Sequence, residues 1–238
     1  MMKTTKTIKV GVSSCSAKIS SYKRFQILII NLVYYIVVNM QTISFDSQLE
    51  GRFQAVFVIF YALDGKPWQK YTEPGKRNDL VIPTVVMINR SDGYIGFIGG
   101  KVNAGETLEQ AVRREVKEEI GHDIVTNFEE IVAHDLAKLT TYAFASELSY
   151  EQLRQIQKDA TAAAHFGSEL TGIFLPHLLE LNEEFHVKGG LVPLLKSSLA
   201  ISVREELVHF LLKKRIYTKY ELSEICSKAG FELEELLK

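Results

Sequence analysis

The sequence predicts a mixed α/β or α+β fold, on three observations. Short apolar runs rich in β-branched and aromatic residues, such as Ala55–Ala62, read as buried strands. Four segments of the form Ser/Thr-x-x-Glu/Gln open helix-periodic stretches, each pairing a capping side chain with a reciprocal acceptor. The two kinds of element interleave with no internal repeat and no Gly/Ser/Pro-rich linker. Composition agrees. At 46% hydrophobic and 24% charged over 238 residues, the chain is not disordered, collagen-like or multi-pass membrane in type. Cys15 and Cys226 are too few for a disulfide scaffold, and six histidines show no zinc-binding spacing. A cytoplasmic protein without a stable membrane partner is the expectation.

Taken in order, Ala55–Ala62 (AVFVIFYA) is the first strand and Asp64-Gly65-Lys66-Pro67 carries turn chemistry. Leu80–Asn89 is the second strand. Its Pro83 points to an edge or a bulge, since proline has no N–H for a ladder. A turn at Ser91-Asp92-Gly93 leads into a third strand, Tyr94–Ile98, which runs into Gly99-Gly100. Further strands are expected around Phe128–Ala133, Leu139–Ala145 and Leu170–Phe174. Capping boxes at Thr107/Gln110, Ser149/Gln152, Ser202/Glu205 and Thr218/Glu221 open helices at about 108–120, 150–164, 203–215 and 219–229. Gly121 and Gly230 end the first and last of these, where a left-handed cap costs glycine little.

Charge is unevenly distributed. The totals, 28 basic and 29 acidic residues, create no global field for a polyanion. Residues 1–39 nevertheless hold six basic and no acidic residues, which leaves a net of −7 on 40–238. The same head contains an apolar run at 25–38, shorter than the roughly 20 residues a membrane-spanning helix needs. Basic residues before an apolar core resemble a signal peptide, yet no small-x-small cleavage site follows. A membrane or signal segment, a buried strand and an extension outside the native fold all fit. The last is preferred, because globular patterning begins only near Phe45.

The stretch that carries chemistry is Gly100–His122. On the helix 108–120, Leu108, Ala111, Val112, Val116 and Ile120 form an apolar stripe for the core. Off that stripe, Glu115, Glu118 and Glu119 fall at i, i+3 and i+4, which gathers three carboxylates on one turn. Like charges so placed cost stability unless a cation sits among them. Oxygen ligands suit a hard divalent ion, Mg²⁺ or Mn²⁺, which also binds substrate phosphates. Arg114 can pair with Glu118 at i+4, and Gly99, Gly100 and Gly105 allow a tight loop that brings backbone close to the metal. A solvated acidic helix face is the competing reading, and the double glycine, the loop residue Glu106 and the preceding arginine weigh against it.

This segment resembles the Nudix box, G-x5-E-x7-R-E-U-x-E-E-x-G-U with U aliphatic. Gly100, Glu106, Arg114, Glu115, Val116, Glu118, Glu119 and Gly121 stand in register, and His122 departs from the usual aliphatic residue. The resemblance implies a mixed β-sheet sandwiched between helices, here with additional C-terminal helices, and hydrolysis of a diphosphate bond in a nucleoside diphosphate-linked substrate. It implies Glu115, Glu118 and Glu119 as metal ligands, a further ligand in the Gly100 carbonyl, Glu106 in support of the attacking water, and Arg114 orienting the glutamates. The Nudix domain would span 40–217, with 218–238 a C-terminal helical extension.

Beyond the box, the order Arg90-x-Asp-Gly-x-x-Gly-Phe-x-Gly-Gly, then Tyr142-Ala-Phe-Ala-x-x-Leu-Ser, Phe166-Gly-x-Glu and Val203-Arg-Glu-x-Leu is similar to the snoRNA-decapping, inosine-diphosphatase subfamily. That likeness implies Arg90 and Phe97 beside a purine base, Glu169 as a further acidic residue near the metals, and a homodimer. Where the subfamily places a histidine in its first strand, this chain has Phe57. Three functional classes follow: a pyrophosphatase of small nucleotides or their conjugates, an RNA 5′-end hydrolase acting on capped RNA, and a catalytically silent binding module. An RNA groove would need cations and stacking aromatics, for which Lys213, Lys214, Arg215 and Lys219 with Tyr217 and Tyr220 are the candidates. The same run also suits a helix C-terminus complementing its dipole.

Overall fold

The apolar run that starts at Ala55 becomes the central strand. The computed structural model describes residues 40–45, 52–66, 81–121, 123–179 and 190–238. The head 1–39, Pro67, Leu80 and His122 lie outside the described residues. After a short β1 (Gln41–Ile43), the central strand is β2 (Phe53–Gly65). Ile59 and Tyr61 of β2 join one apolar cluster, and Val56, Val58, Phe60 and Ala62 join another. Burial on both faces is why the run reads as nearly continuous rather than alternating.

One long strand serves three neighbours. β2 runs parallel to β8 (Leu139–Glu147) on one side. On its other side it pairs antiparallel with β6 (Ile98–Lys101) along Ala55–Val58 and with β3 (Ile82–Val85) along Tyr61–Gly65. β7 (Glu129–Asp135) and β1 extend the mixed sheet in the order β1-β7-β8-β2-β3. A second sheet has the order β5-β4-β9, from Ile95–Gly96, Met87–Arg90 and Leu170–Phe174.

The single strand expected over Leu80–Asn89 is therefore two. The Val86 N–H still donates to the Phe60 carbonyl at 2.8 Å, and Met87 already pairs with Phe174 of the other sheet. Tyr94–Ile98 divides in the same way at Phe97. Val85, Val86, Met87 and Ile88 are all buried, so no polar residue marks the crossing between sheets. Pro83 lies in β3 at the sheet edge, opposite a register shift between Ala62 and Gly65. The turn expected at Asp64–Pro67 starts later, because Asp64 and Gly65 still belong to β2.

Helices cover both faces. α1 (Leu108–Ile120) and α2 (Tyr150–Asp159), the latter followed by a 3-10 turn at Ala160–Ala162, pack on the side of Val56 and Val58. α3 (Leu191–Lys196), α4 (Val203–Lys213), α5 (Lys219–Ala229) and α6 (Leu233–Leu236) pack on the side of Ile59 and Tyr61. The capping boxes form at Thr107, Ser149 and Thr218, and Gly121 and Gly230 take left-handed φ of 92° and 90°. Ser202 does not cap. It is buried with φ 65°, and its hydroxyl donates to Glu206 Oε1 at 2.8 Å instead of accepting a backbone N–H. Among the described residues no helix is long and apolar enough to cross a membrane.

Candidate active site

Two glycines in the middle of β6 make room for the site. A Cβ on Gly99 would stand 2.1 Å from the Val56 carbonyl oxygen, and the residue has φ +147°. A Cβ on Gly100 would stand 2.6 Å from Glu115 Oε1. The sheet backbone thus lies directly against a carboxylate of α1, which any side chain at Gly100 would have to displace. A loop containing Gly105, at φ +84°, then returns the chain to the Thr107 cap and places α1 across β6.

α1 buries Ala111, Val112, Val116 and Ile120 as its spacing predicts, with Leu108 half-buried. Glu115 and Glu119 lie off that stripe, yet they are only 5% and 3% exposed because they face the β6 glycines. Glu118 is half-buried. Arg114 joins these groups. Its Nε and Nη2 hold Glu106 at 2.8 and 3.1 Å, its Nη1 reaches Glu115 at 2.8 Å and Glu118 at 2.9 Å, and Nη2 also donates to the Lys101 carbonyl. A rigid guanidinium fork can set several carboxylates at once in a way a lysine cannot.

The fields differ within a few ångströms. Arg114, with the Asn103 N–H, holds the Glu106 carboxyl down at about 2. Burial raises Glu115, partly opposed by Arg114. Burial pushes Glu119 up to about 8, with Glu115 and Glu169 adding to the shift and the Gly99 N–H, 2.8 Å away, opposing it. Arg114 is the cation for Glu106, Glu115 and Glu118 and forms no ion pair with buried Glu119, so a divalent ion here would offset the cost of burying these carboxylates. The donor set fits one: among the described residues, ligand atoms of Glu115, Glu118 and His165 lie within 4.8 Å of one another.

His165 escaped the sequence reading. It has no spacing relation to the glutamates, and only the turn after Ala160–Ala162 brings it to the end of α1. There its N–H donates to the Glu118 carbonyl at 3.2 Å. Glu169 arrives on the same turn, with Oε2 3.2 Å from His165 Nδ1. Its carbonyl accepts from the Ser91 N–H at 2.8 Å, which ties this turn to the β4–β5 hairpin. On that hairpin Arg90 grips Asp92 through Nε and Nη2, at 3.1 and 2.6 Å. Asp92 raises Arg90, whose charge also interacts with Glu119 and Glu169.

Phe97, expected beside the base, is placed among core residues. The residue is 1% exposed and sits in the core cluster with Ile59, Met87 and Leu207. It lies at the break between β5 and β6. Phe57, opposite Gly99 in the sheet, is only partly buried. The C-terminal basic run is likewise engaged within the chain: Lys213 with the Glu130 carbonyl, Lys214 with Glu129, and Lys219 with Glu234.

Comparison with known proteins shows the family. The family described as Nudt16-like, U8 snoRNA-decapping enzyme-like, matches residues 55–217. A U8 snoRNA-decapping enzyme from Xenopus laevis is 26% identical over 160 residues, covering 63% of this chain and 73% of that protein. The mouse (Mus musculus) protein of the same name is 31% identical over 134 residues, 53% of this chain and 67% of its own length. A mutT/nudix family protein from Listeria innocua superposes with TM-score 0.47 at 16% identity, over 74% of this chain and 99% of that one. With the box residues assembled around Arg114 and the family match spanning most of the described fold, the chain belongs to the Nudt16-like, U8 snoRNA-decapping enzyme-like family and is a Nudix pyrophosphohydrolase.

Proposed function

We propose that the chain hydrolyses the diphosphate bond of a nucleoside diphosphate-linked substrate, using Mg²⁺ or Mn²⁺ held by Glu115, Glu118 and Glu119, with the Gly100 carbonyl as a further ligand. The observation that carries this reading is the Arg114 fork, which holds Glu106, Glu115 and Glu118 together beside a glycine that leaves room for their carboxylates. When bound, the cation supplies neutralisation of the phosphate oxygens and a more acidic water. Arg114 orients the ligands, and Glu106 keeps the arginine in register. Arg90, fixed by Asp92, is the cation on the substrate side, and Glu169 extends the acidic rim. Phe97 packs in the core cluster, and no base preference is proposed.

Decapping of RNA 5′ ends is the second reading, favoured by relatives that carry that name. The ion-paired lysines of the C-terminal run weigh against a groove there for the RNA chain. Incubating a panel of nucleoside di- and triphosphates and a capped RNA with Mg²⁺ or Mn²⁺, and identifying products by mass, separates the two. Cleavage of small nucleotides alone supports the first reading. Release of the cap nucleotide at a higher kcat/KM supports the second. Turnover of neither contradicts both.

A further inference from the structure

We propose that His165 is a ligand of the same divalent cation, so that this centre is a mixed nitrogen–oxygen site that favours Mn²⁺ over Mg²⁺. The inference rests on the metal-centre reading above and goes further in naming a ligand outside the box. Four observations carry it. A ring nitrogen of His165 and carboxylate oxygens of Glu115 and Glu118 lie within 4.8 Å of one another, close enough to converge on one ion. The backbone is fixed there: the His165 N–H donates to the Glu118 carbonyl at 3.2 Å, and the His165 carbonyl accepts from the Ser168 and Glu169 N–H groups at 3.2 and 3.0 Å. His165 Nδ1 is shielded from solvent. Glu169 Oε2 stands 3.2 Å from that atom, as a carboxylate does when it sets the orientation of a metal-ligating imidazole.

The consequence follows from donor chemistry. An all-oxygen set suits Mg²⁺, which dehydrates reluctantly and keeps waters on most of its positions. Imidazole nitrogen is the donor of first-row transition ions, so one such ligand biases the site away from Mg²⁺.

The test is Mn²⁺ binding to the full metal-free chain, followed by electron paramagnetic resonance, with electron spin-echo modulation reporting on nitrogen at the ion and Mg²⁺ measured by competition. The wild-type protein should show imidazole ¹⁴N modulation. His165→Ala should abolish it and raise the Mn²⁺ Kd by about tenfold or more while changing the Mg²⁺ Kd less. His165→Asp, which restores an oxygen donor, should shift the Kd ratio toward Mg²⁺. The proposal is overturned by Mn²⁺ bound to wild type without ¹⁴N modulation, a result no variant's folding can affect, or by modulation that survives in folded His165→Ala. Either leaves the glutamate centre standing. Absence of both Mn²⁺ and Mg²⁺ binding by wild type overturns this proposal together with the metal-centre reading.

Discussion

Glu119 holds an exacting position, 3% exposed and raised to about 8, with the Gly99 N–H donating to it at 2.8 Å. On the proposed reading, losing the carboxylate of Glu119 or of Glu118 weakens both cation affinity and transition-state stabilisation. Glu118→Gln and Glu119→Gln should each lower kcat by at least ~100-fold in steady-state assays. Both should stay folded by circular dichroism, Glu119→Gln because an amide oxygen can still accept from Gly99. Phe97→Ala should behave in the opposite way. Its buried ring costs about 3–5 kcal/mol to remove, so thermal melting should show a large loss while KM, measured where the variant is folded, stays unchanged. The glutamates and Arg114 were legible because helix spacing alone puts them on one turn. The burial of Phe97 was not legible, because a phenylalanine in a short apolar strand looks the same whether it faces a ligand or a core. His165 left no local signal at all.

At the scale of elements, α1 and α5 were legible to the residue, since each carries both a capping box and a terminal glycine. β3 and β4 were not, because an uninterrupted apolar run records burial and not a change of partner. α4 holds the least expected feature. Against β7 and β8 it buries Glu206 at 0% exposure, and His209 of α4 packs its ring 5.6 Å from that of His134 in β7. Among the described residues neither ring nitrogen of His134 has a hydrogen-bond partner. Burial pushes Glu206 up to about 8 and His134 down to about 3. A raised carboxyl binds more protons folded than unfolded, so its contribution is present below about pH 4.5 and lost as pH rises through about 8. The lowered histidine has the opposite slope: its contribution is present above about pH 6.5 and lost as pH falls toward 3. Glu206→Gln, which mimics the neutral acid, should therefore raise Tm by several degrees near pH 9 and by much less near pH 5. An equal shift at both pH values in differential scanning calorimetry would contradict a neutral buried Glu206.

For the whole molecule, residues 218–238 are more than an appendage. Leu222, Ile225, Cys226, Leu233 and Leu236 share one core cluster with Ile59 and Tyr61 of the central strand. The sequence showed the helices but not their docking, since amphipathic spacing does not say which sheet face receives it. At the other end, Met40 is buried and β1 pairs with β7 through Thr42 and His134. A chain starting at Met40 should accordingly keep kcat/KM and Tm, whereas removing Gln41–Ile43 as well should lower Tm by uncovering the β7 edge. Loss of activity on removing 1–39 alone would show that the head belongs to the functional protein. On the proposed reading, folding assembles a carboxylate centre whose cation the hydrolysis requires, and turnover reports on that requirement. It is tested most directly by turnover of a cleaved nucleotide during titration with EDTA and then with excess Mn²⁺, in wild type and Glu118→Gln. The account predicts activity abolished by the chelator, restored by the metal in wild type, and restored at least ~100-fold less in the variant. Undiminished turnover in EDTA would contradict it.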